Sequence, residues 1–271
     1  MNILVISHAE DGFMRGGHYL LEPVLRELRG RGHDIAFCRG TTIPDLAVDI
    51  AIMHVDLTAV PDSYVTFGQR FSNCLNLRAT DISKRKVSGA IVGSDDDWPG
   101  PVIVKSNLNC GAIRELRLQN LTQERRGGTA LPPRHFRRIG YEIFETIADV
   151  PAVAFHHPAT VVEKFIPERI GDLFAIRFWT FVGDQERCVR VHSREPIIKA
   201  SNQIGYDYCE VPEDLRQRRH ELGFDFGKFD FAMHDGKAVL FDANKTPGRP
   251  PVAEGLKWPS DFADGVLRFA D

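Results

Sequence analysis

The run from Gly227 to Gly248, GKFDFAMHDGKAVLFDANKTPG, constrains this chain more than any other stretch. It reads as two strands joined at Asp235-Gly236, a strong hairpin signal. Alternation puts Phe229, Phe231 and Met233 on one face and Lys228, Asp230 and Ala232 on the other. Two carboxylates (Asp230, Asp242), an amide (Asn244) and a cation (Lys228) on one small sheet are costly unless something charged sits between them. Two acidic oxygen ligands plus an amide oxygen suit Mg²⁺, which leaves its other positions to phosphates and water. A site for a magnesium-bound nucleotide is therefore expected. Register decides whether it can form. A two-residue loop would pair Asp230 with Phe241 and turn Asp242 to the opposite face. A three-residue loop, His234 to Gly236, pairs Lys228 with Asp242 and Asp230 with Leu240, so the charged groups share a face and Asn244 follows on it. The three-residue loop is the expectation.

At 271 residues the chain has room for one large domain or two to three small ones. Its 43% hydrophobic and 26% charged content is ordinary for a soluble globular enzyme. A net charge of −3 and a pI near 6.4 argue against general nucleic-acid or anionic-membrane binding. The opening MNILVISHAED has a short apolar part and no basic flank, so no signal peptide is read. No apolar run approaches a membrane span. The five cysteines are scattered and form no C-x-x-C pair, which suggests free thiols in a reducing cytoplasm and no zinc site.

Along the chain, residues 2–7, 34–38 and 48–55 read as strands, with a helix over 17–29 whose Leu20, Leu21, Val24, Leu25 and Leu28 share a face. Strand, helix, strand in that order implies a small parallel α/β unit. A short helix is expected over 82–89, and the turn-rich SDDDWPG marks a linker near 88–99. Pro101–Lys105 and residues 160–166 read as strands, with a helix over 134–148 between them. Two alternating runs, 173–182 and 187–193, form a hairpin at Gly183-Asp184, and a helix over 212–223 leads into the final hairpin. The division expected is 1–88, 89–160 and 161–271: an α/β chain, α+β in its C-terminal part.

Other positions carry chemistry more weakly. Lys105 ends a strand and faces the loop SNLNCGA, an arrangement suited to phosphate binding, although a solvated strand-end lysine explains it alone. The strand VVEKFIPE could present backbone groups to an adenine while Phe165 covers its face. Arg177 sits in an otherwise apolar strand face and must be paired, either with a structural carboxylate or with a substrate carboxylate or phosphate. His8, Asp11, Arg15 and Gly16 follow the first strand, where ligands of parallel sheets bind. Arg190, His192 and Arg194 could serve an anion or form a solvated face. Asp225-Phe226-Gly227 lacks the partner motifs of a kinase.

Taken in order, P-V-I-V-K with its Gly-containing loop, V-V-E-K-F-I, D-x-x-x-x-R-F-W-T-F-V-G-D and K-F-D-F…D-G-K…L-F-D-A-N-K-T-P-G resemble the ATP-grasp superfamily. Within it they are similar to ribosomal-protein-modifying glutamate ligases and D-alanine–D-alanine ligase-like enzymes. The resemblance covers roughly residues 80–250. It implies an ATP-grasp fold behind an N-terminal Rossmann-like pre-grasp domain, with residues 89–160 as the central subdomain and 161–271 as the C-terminal one. It implies ATP and Mg²⁺ as cofactors, with two metal ions expected and Mn²⁺ as an alternative. Lys105 and Lys84 then resemble the phosphate lysines, and Glu163, Lys164, Phe165 and Ile166 the adenine hinge. Glu168 or Asp172 would take the ribose. Arg177 and Lys199 would lie near substrate, Lys228 would stabilise transferring charge, and Asp230, Asp242 and Asn244 would hold magnesium.

Three departures stand out. Position 242 is Asp where Glu is usual, the phosphate loop is poorer in glycine than most, with Asn107 and Asn109 in it, and Lys228 replaces the common arginine. The implied activity is ligation of a small-molecule or peptide carboxylate to an amine, releasing ADP and phosphate. Gly127-Gly128 would give a loop over 107–130 the freedom to close. A nucleotide-binding module that has lost ligation, or a kinase that stops at phosphoryl transfer, are the alternatives. No nucleic-acid or membrane partner is expected, and a homodimer is left open.

Overall fold

The computed structural model describes residues 1–11, 18–43, 46–125, 140–249 and 257–270. The first sheet is built from Asn2–Ser7 (β1), Asp34–Arg39 (β2), Ile50–Met53 (β3) and Cys74–Leu75 (β4), with Leu21–Gly30 (α1) and Asp62–Gly68 (α2) between them. Its order is β2-β1-β3-β4, and every pairing is parallel. Both faces are covered, which explains why β1 and β3 are apolar without alternation. Ile3, Val5, Ile50 and Ile52 pack under α1, while Leu4, Ile6, Ala51 and Met53 pack against Tyr64 and Phe67 of α2. The helix α1 starts at Leu21, later than the expected residue 17. Backbone pairing draws its leading residues away: Tyr19 bridges Gly248, and the Leu20 N–H donates to Pro247 O at 2.9 Å.

Lys84–Val87 (α3) leads to a three-stranded antiparallel sheet of Val102–Ser106 (β5), Glu142–Phe144 (β6) and Thr160–Lys164 (β7), ordered β6-β5-β7. Ile113–Arg125 (α4) follows β5, and Ala152–His156 (α5) packs on β7. Two expectations change here. The helix over 134–148 is not present over its described part: Val102 pairs with Phe144, so β5 takes up this segment as an edge strand, and Thr146 and Asp149 cap a 3₁₀ turn after it. Residues 134–139 lie outside the described residues. And β7, grouped by sequence mostly with the C-terminal segment, pairs into this small sheet.

Glu168–Ile170 (β8), Leu173–Val182 (β9), Gln185–Ser193 (β10), Gln203–Tyr208 (β11), Phe226–His234 (β12) and Lys237–Asn244 (β13) form the large antiparallel sheet, with Glu213–Glu221 (α6) against it. Its strand order is β11-β10-β9-β12-β13, and β8 pairs with β9. The hairpin at Gly183-Asp184 forms as expected, with Val182 opposite Gln185. Trp179, Phe181, Phe224, Phe229 and Phe231 fill the core on one face. A last helix, Trp258–Leu267 (α7), returns to the first sheet, and its Trp258, Phe262, Ala263 and Val266 share a core with α1. Among the described residues no helix is long and apolar enough to cross a membrane.

The final hairpin reverses the loop expectation yet keeps its consequence. His234 pairs with Lys237, so the loop has two residues, and Asp235 and Gly236 both take the positive φ (+49° and +76°) that such a loop demands. Carried straight through, that register would turn Asp242 away. A β-bulge between Asp230 and Phe231 restores parity: Phe231 faces Leu240, Asp230 faces Asp242, and Phe241 is the extra residue. Lys228 then faces Asn244. All four side chains share one face.

Candidate active site

Charged groups from four elements meet in a cleft between the two antiparallel sheets. Lys84 comes from α3, Lys105 from β5, Glu163 from β7, and Asp230 and Asp242 from the final hairpin. The helix α3 is set over β13 by a bond from the Gly89 N–H to Leu240 O at 2.8 Å, which brings Lys84 to Asp242. The Asn107 side chain fixes the same helix, accepting from the Arg85 N–H at 3.0 Å and donating to Pro158 O at 3.1 Å.

The cluster contains three ion pairs. Lys84 Nζ lies 3.0 Å from Asp242 Oδ1, Lys105 Nζ 2.6 Å from Glu163 Oε2, and Lys228 Nζ 2.8 Å from Asp230 Oδ1. Lys105 also donates to the carbonyl of the bulge residue Phe241 at 3.2 Å. Burial raises the pKa of Glu163 and Asp230 in spite of their lysines. Burial acts on Asp242 in the same sense, but Lys84 and Lys105 together hold its carboxyl below the usual range. Burial disfavours the ammonium forms of Lys84 and Lys228, yet the facing carboxylates outweigh it and keep both charged.

The donor set suits a hard divalent cation. Oδ1 of Asp230 and Oδ1 of Asp242 are buried and accept no hydrogen bond, each having only an ammonium beside it. Among the described residues no group of three His, Cys, Asp or Glu side chains converges, so the protein would supply two carboxylates and the Asn244 amide. A small ligand count of that kind leaves positions for phosphate and water, as Mg²⁺ prefers.

No family model matches the sequence, and no curated protein matches it. Solved structures do match. The macrocyclase MdnC from Microcystis aeruginosa MRC, bound with precursor peptide MdnA, aligns over 99% of this chain and 100% of its own at 12% identity and a TM-score of 0.56. A RimK domain protein ATP-grasp from Sphaerobacter thermophilus DSM 20745 aligns over 98% and 100% at 12% identity and a TM-score of 0.51. A D-alanine–D-alanine ligase from Bacillus anthracis aligns over 100% and 97% at 11% identity and a TM-score of 0.51. The chain has the ATP-grasp fold.

Within the ATP-grasp cleft, Lys164, Phe165 and Ile166 line one wall, with Ile103, Ile176 and Ile198 adding apolar surface. The N–H groups of Lys164 and Phe165 are already used, donating to Ala90 O (2.8 Å) and Pro101 O (2.9 Å). The Lys164 ammonium lies over the Trp98 ring, 4.8 Å from its centre.

Other expected residues lie apart from the cluster. Arg177 on β9 pairs with Phe231 on β12, on the face opposite Asp230, and grips Glu168 at 2.7 and 3.1 Å. Glu168 also accepts the Met233 N–H at 2.8 Å, so its carboxylate is the structural partner of Arg177. Asp172 is exposed in the β8–β9 turn, and Lys199 is exposed beside Pro196–Ile198, which line the cleft. Arg190 and His192 pair with Asp207 at 3.4 and 3.0 Å. His8 and Asp11 lie in the loop after β1, while Arg15, Gly16 and Gly127-Gly128 lie outside the described residues.

The sequence reading missed Tyr141 and Phe241, which line the cleft, because nothing in the pattern marks a bulge or the approach of a loop. It also missed a second polar network beside the ATP-grasp cleft. Asp56 accepts from Thr246 Oγ1 and from the Tyr19 hydroxyl, both at 2.7 Å, and lies 2.6 Å from Arg114 Nε. Thr246 in turn donates its N–H to Asn244 Oδ1 at 2.9 Å.

Proposed function

We propose that this chain is an ATP-dependent ligase that joins a carboxylate to an amine, releasing ADP and phosphate. The observation that carries this reading is the balanced cluster of Lys84, Lys105 and Lys228 with Glu163, Asp230 and Asp242 in the cleft. Three ammonium groups, those of Lys84 and Lys105 buried and that of Lys228 partly so, and three carboxylates are expensive to keep apart from water, and their separation into an anion-seeking and a cation-seeking set matches a metal–triphosphate. One relative of the same fold, the Bacillus anthracis D-alanine–D-alanine ligase, is solved complexed with ATP, at 14% identity and a TM-score of 0.51.

In this reading Asp230, Asp242 and Asn244 would hold Mg²⁺, which when bound neutralises phosphate charge and polarises the phosphoryl group. Lys84 and Lys105 leave Asp242 and Glu163 to meet phosphate oxygens, so nucleotide entry exchanges one set of ion pairs for another. Lys228 stabilises charge on the oxygens of the transferring group as a point charge. The apolar wall of Ile103, Phe165, Ile176 and Ile198 takes the base, and Ile166 is the hinge position whose N–H no described residue takes. The γ-phosphoryl passes to a substrate carboxylate, giving an acyl phosphate. The amine attacks its carbonyl and phosphate departs. Most of the rate comes from holding the reactants together and away from water.

The test is release of ADP and phosphate from Mg-ATP with pooled carboxylates and amines, with Asp230→Asn as blank. Product that requires both partners supports ligation. ADP with one acceptor and no free phosphate indicates a kinase. Tight nucleotide binding without turnover across the pools indicates a binding module.

A further inference from the structure

Cys188 and Cys209 face each other across neighbouring strands. Cys188 lies in β10, and the register that pairs Val189 with Tyr208 puts Cys209, one residue past β11, directly opposite it. The Cys209 N–H donates to Cys188 O at 3.1 Å, which carries the ladder one step further. The two Sγ atoms lie 3.4 Å apart, in contact. Residues opposite each other in such a hydrogen-bonded pair have Cα atoms about 5.5 Å apart, inside the roughly 4.4–6.8 Å that a disulfide spans. A bond between the sulfurs therefore asks for side-chain rotation and no sliding of strands.

A buried cysteine often serves only as a small apolar residue. Cys38 and Cys74 fit that description: both are buried, and burial raises the pKa of each thiol. Among the described residues no other two sulfurs touch. The 188–209 pair differs in access as well as in contact. Cys188 is buried, while Cys209 is half-buried, and the two open on a polar groove lined by Arg187, Tyr208, Glu210 and Arg216. Arg177 is within electrostatic range of both sulfurs, a cation beside the charge that develops when sulfur attacks. Burial and the adjoining sulfur push the Cys188 thiol up, so it stays protonated at neutral pH. Cys209 is then the sulfur that meets an oxidant from solvent.

We propose that Cys188 and Cys209 are a redox-modification site, a dithiol that a hydroperoxide closes to a reversible disulfide. The Cys209 sulfur attacks the peroxide: an S–O bond forms, the O–O bond breaks and water leaves, so sulfur is oxidised and peroxide reduced by two electrons. The Cys188 sulfur then attacks that sulfenic acid. The S–S bond forms, the S–O bond breaks, and the hydroxyl leaves as water with the Cys188 proton. Two thiols and one peroxide become one disulfide and two waters. The bond encloses residues 189–208. That segment includes Pro196, Ile197 and Ile198 of the cleft wall, and its β11 is an edge strand held by β10 alone. Closing the bond pins this edge and limits the freedom of one wall of the cleft.

The experiment treats the reduced full chain with hydrogen peroxide and follows it by intact mass and by peptide mapping without reduction. Wild type is expected to lose the mass of two hydrogens and two of its five free thiols. Mapping should yield a linked 188–209 fragment, formed about tenfold or more faster than Cys38 or Cys74 is modified. Dithiothreitol restores all five thiols. Cys188→Ala removes the second step, so dimedone traps Cys209 as its sulfenic acid. Cys209→Ser removes the first, and Cys188 stays a thiol. The wild-type map decides alone if either variant fails to fold. No 188–209 link in wild type overturns the proposal, whether the thiols persist, oxidise singly or join Cys110 or a second chain. So does Cys188 reacting in Cys209→Ser as fast as the pair closes in wild type.

Discussion

Replacing His54 by leucine should make the protein less sensitive to acid. His54 follows β3, is fully buried, and meets the edge of the Tyr19 ring at 4.8 Å. Burial pushes its pKa down from 6.5 to about 4, with Asp56 opposing only in part. The folded chain therefore resists a proton that the unfolded chain accepts. Stability is untouched above pH 6.5 and falls as pH drops from 6.5 toward 4. At about 1.4 kcal/mol per pH unit, the full effect is about 3.4 kcal/mol. By pH 5 about 2 kcal/mol of it has been lost, roughly 4–8 °C in Tm for a chain of this size. Leucine loses the ring contact at every pH, so that cost cancels when pH 8 is compared with pH 5. Melting curves for wild type and His54→Leu at the two pH values, at equal ionic strength, measure the difference. Wild type should drop further by about 4–8 °C. Equal drops would refute the argument that His54 is buried neutral.

Three further outcomes are expected. Asn76 is buried, with its side chain accepting from the Asp225 and Phe226 N–H groups at 2.9 Å and donating to Phe226 O at 2.7 Å; Asn76→Ala strands these groups and should cost about 3 kcal/mol or more, read by urea unfolding. Gly265 presses on the Val182 carbonyl, so the Cβ of Gly265→Ala would overlap backbone; the expected cost of about 1–3 kcal/mol exceeds the roughly 1 kcal/mol gained in helix propensity, and an unchanged or raised Tm contradicts it. Lys105→Met leaves Glu163 buried without its cation and should cost about 3–5 kcal/mol, whereas Lys105→Met with Glu163→Gln should recover most of that stability while Mg-ADP affinity, measured by calorimetry, stays at least tenfold weakened.

Elements whose periodicity agrees with their burial are legible in the sequence. The buried run of β1, the apolar stripe of α1 and the β9–β10 hairpin can all be read without coordinates. So can the gathering of Lys228, Asp230, Asp242 and Asn244 on one face, although by a different route. Alternation fixes parity only until an extra residue enters, and Phe241 looks like any other strand aromatic. The segment 142–144 carries no strand signal of its own, because it is ordered by the exposed edge of β5. Arg177 shows in sequence only that it needs a partner; which partner depends on β8 folding back beside β9. Asp56, Tyr19, Arg114 and Thr246 come from four distant stretches, and no local pattern links them.

The shared core of α1 and α7 bears on how the chain is made. Val24, Leu25 and Leu28 are covered in part by residues 258–267, which are synthesised more than two hundred residues later. At roughly 5–20 residues per second, one apolar flank of the first sheet waits about 10–50 s for its cover. The N-terminal unit therefore emerges from the ribosome with sticky surface on show. Chaperone demand and nascent-chain aggregation should concentrate there, on the sheet that waits and not on the helix that covers it.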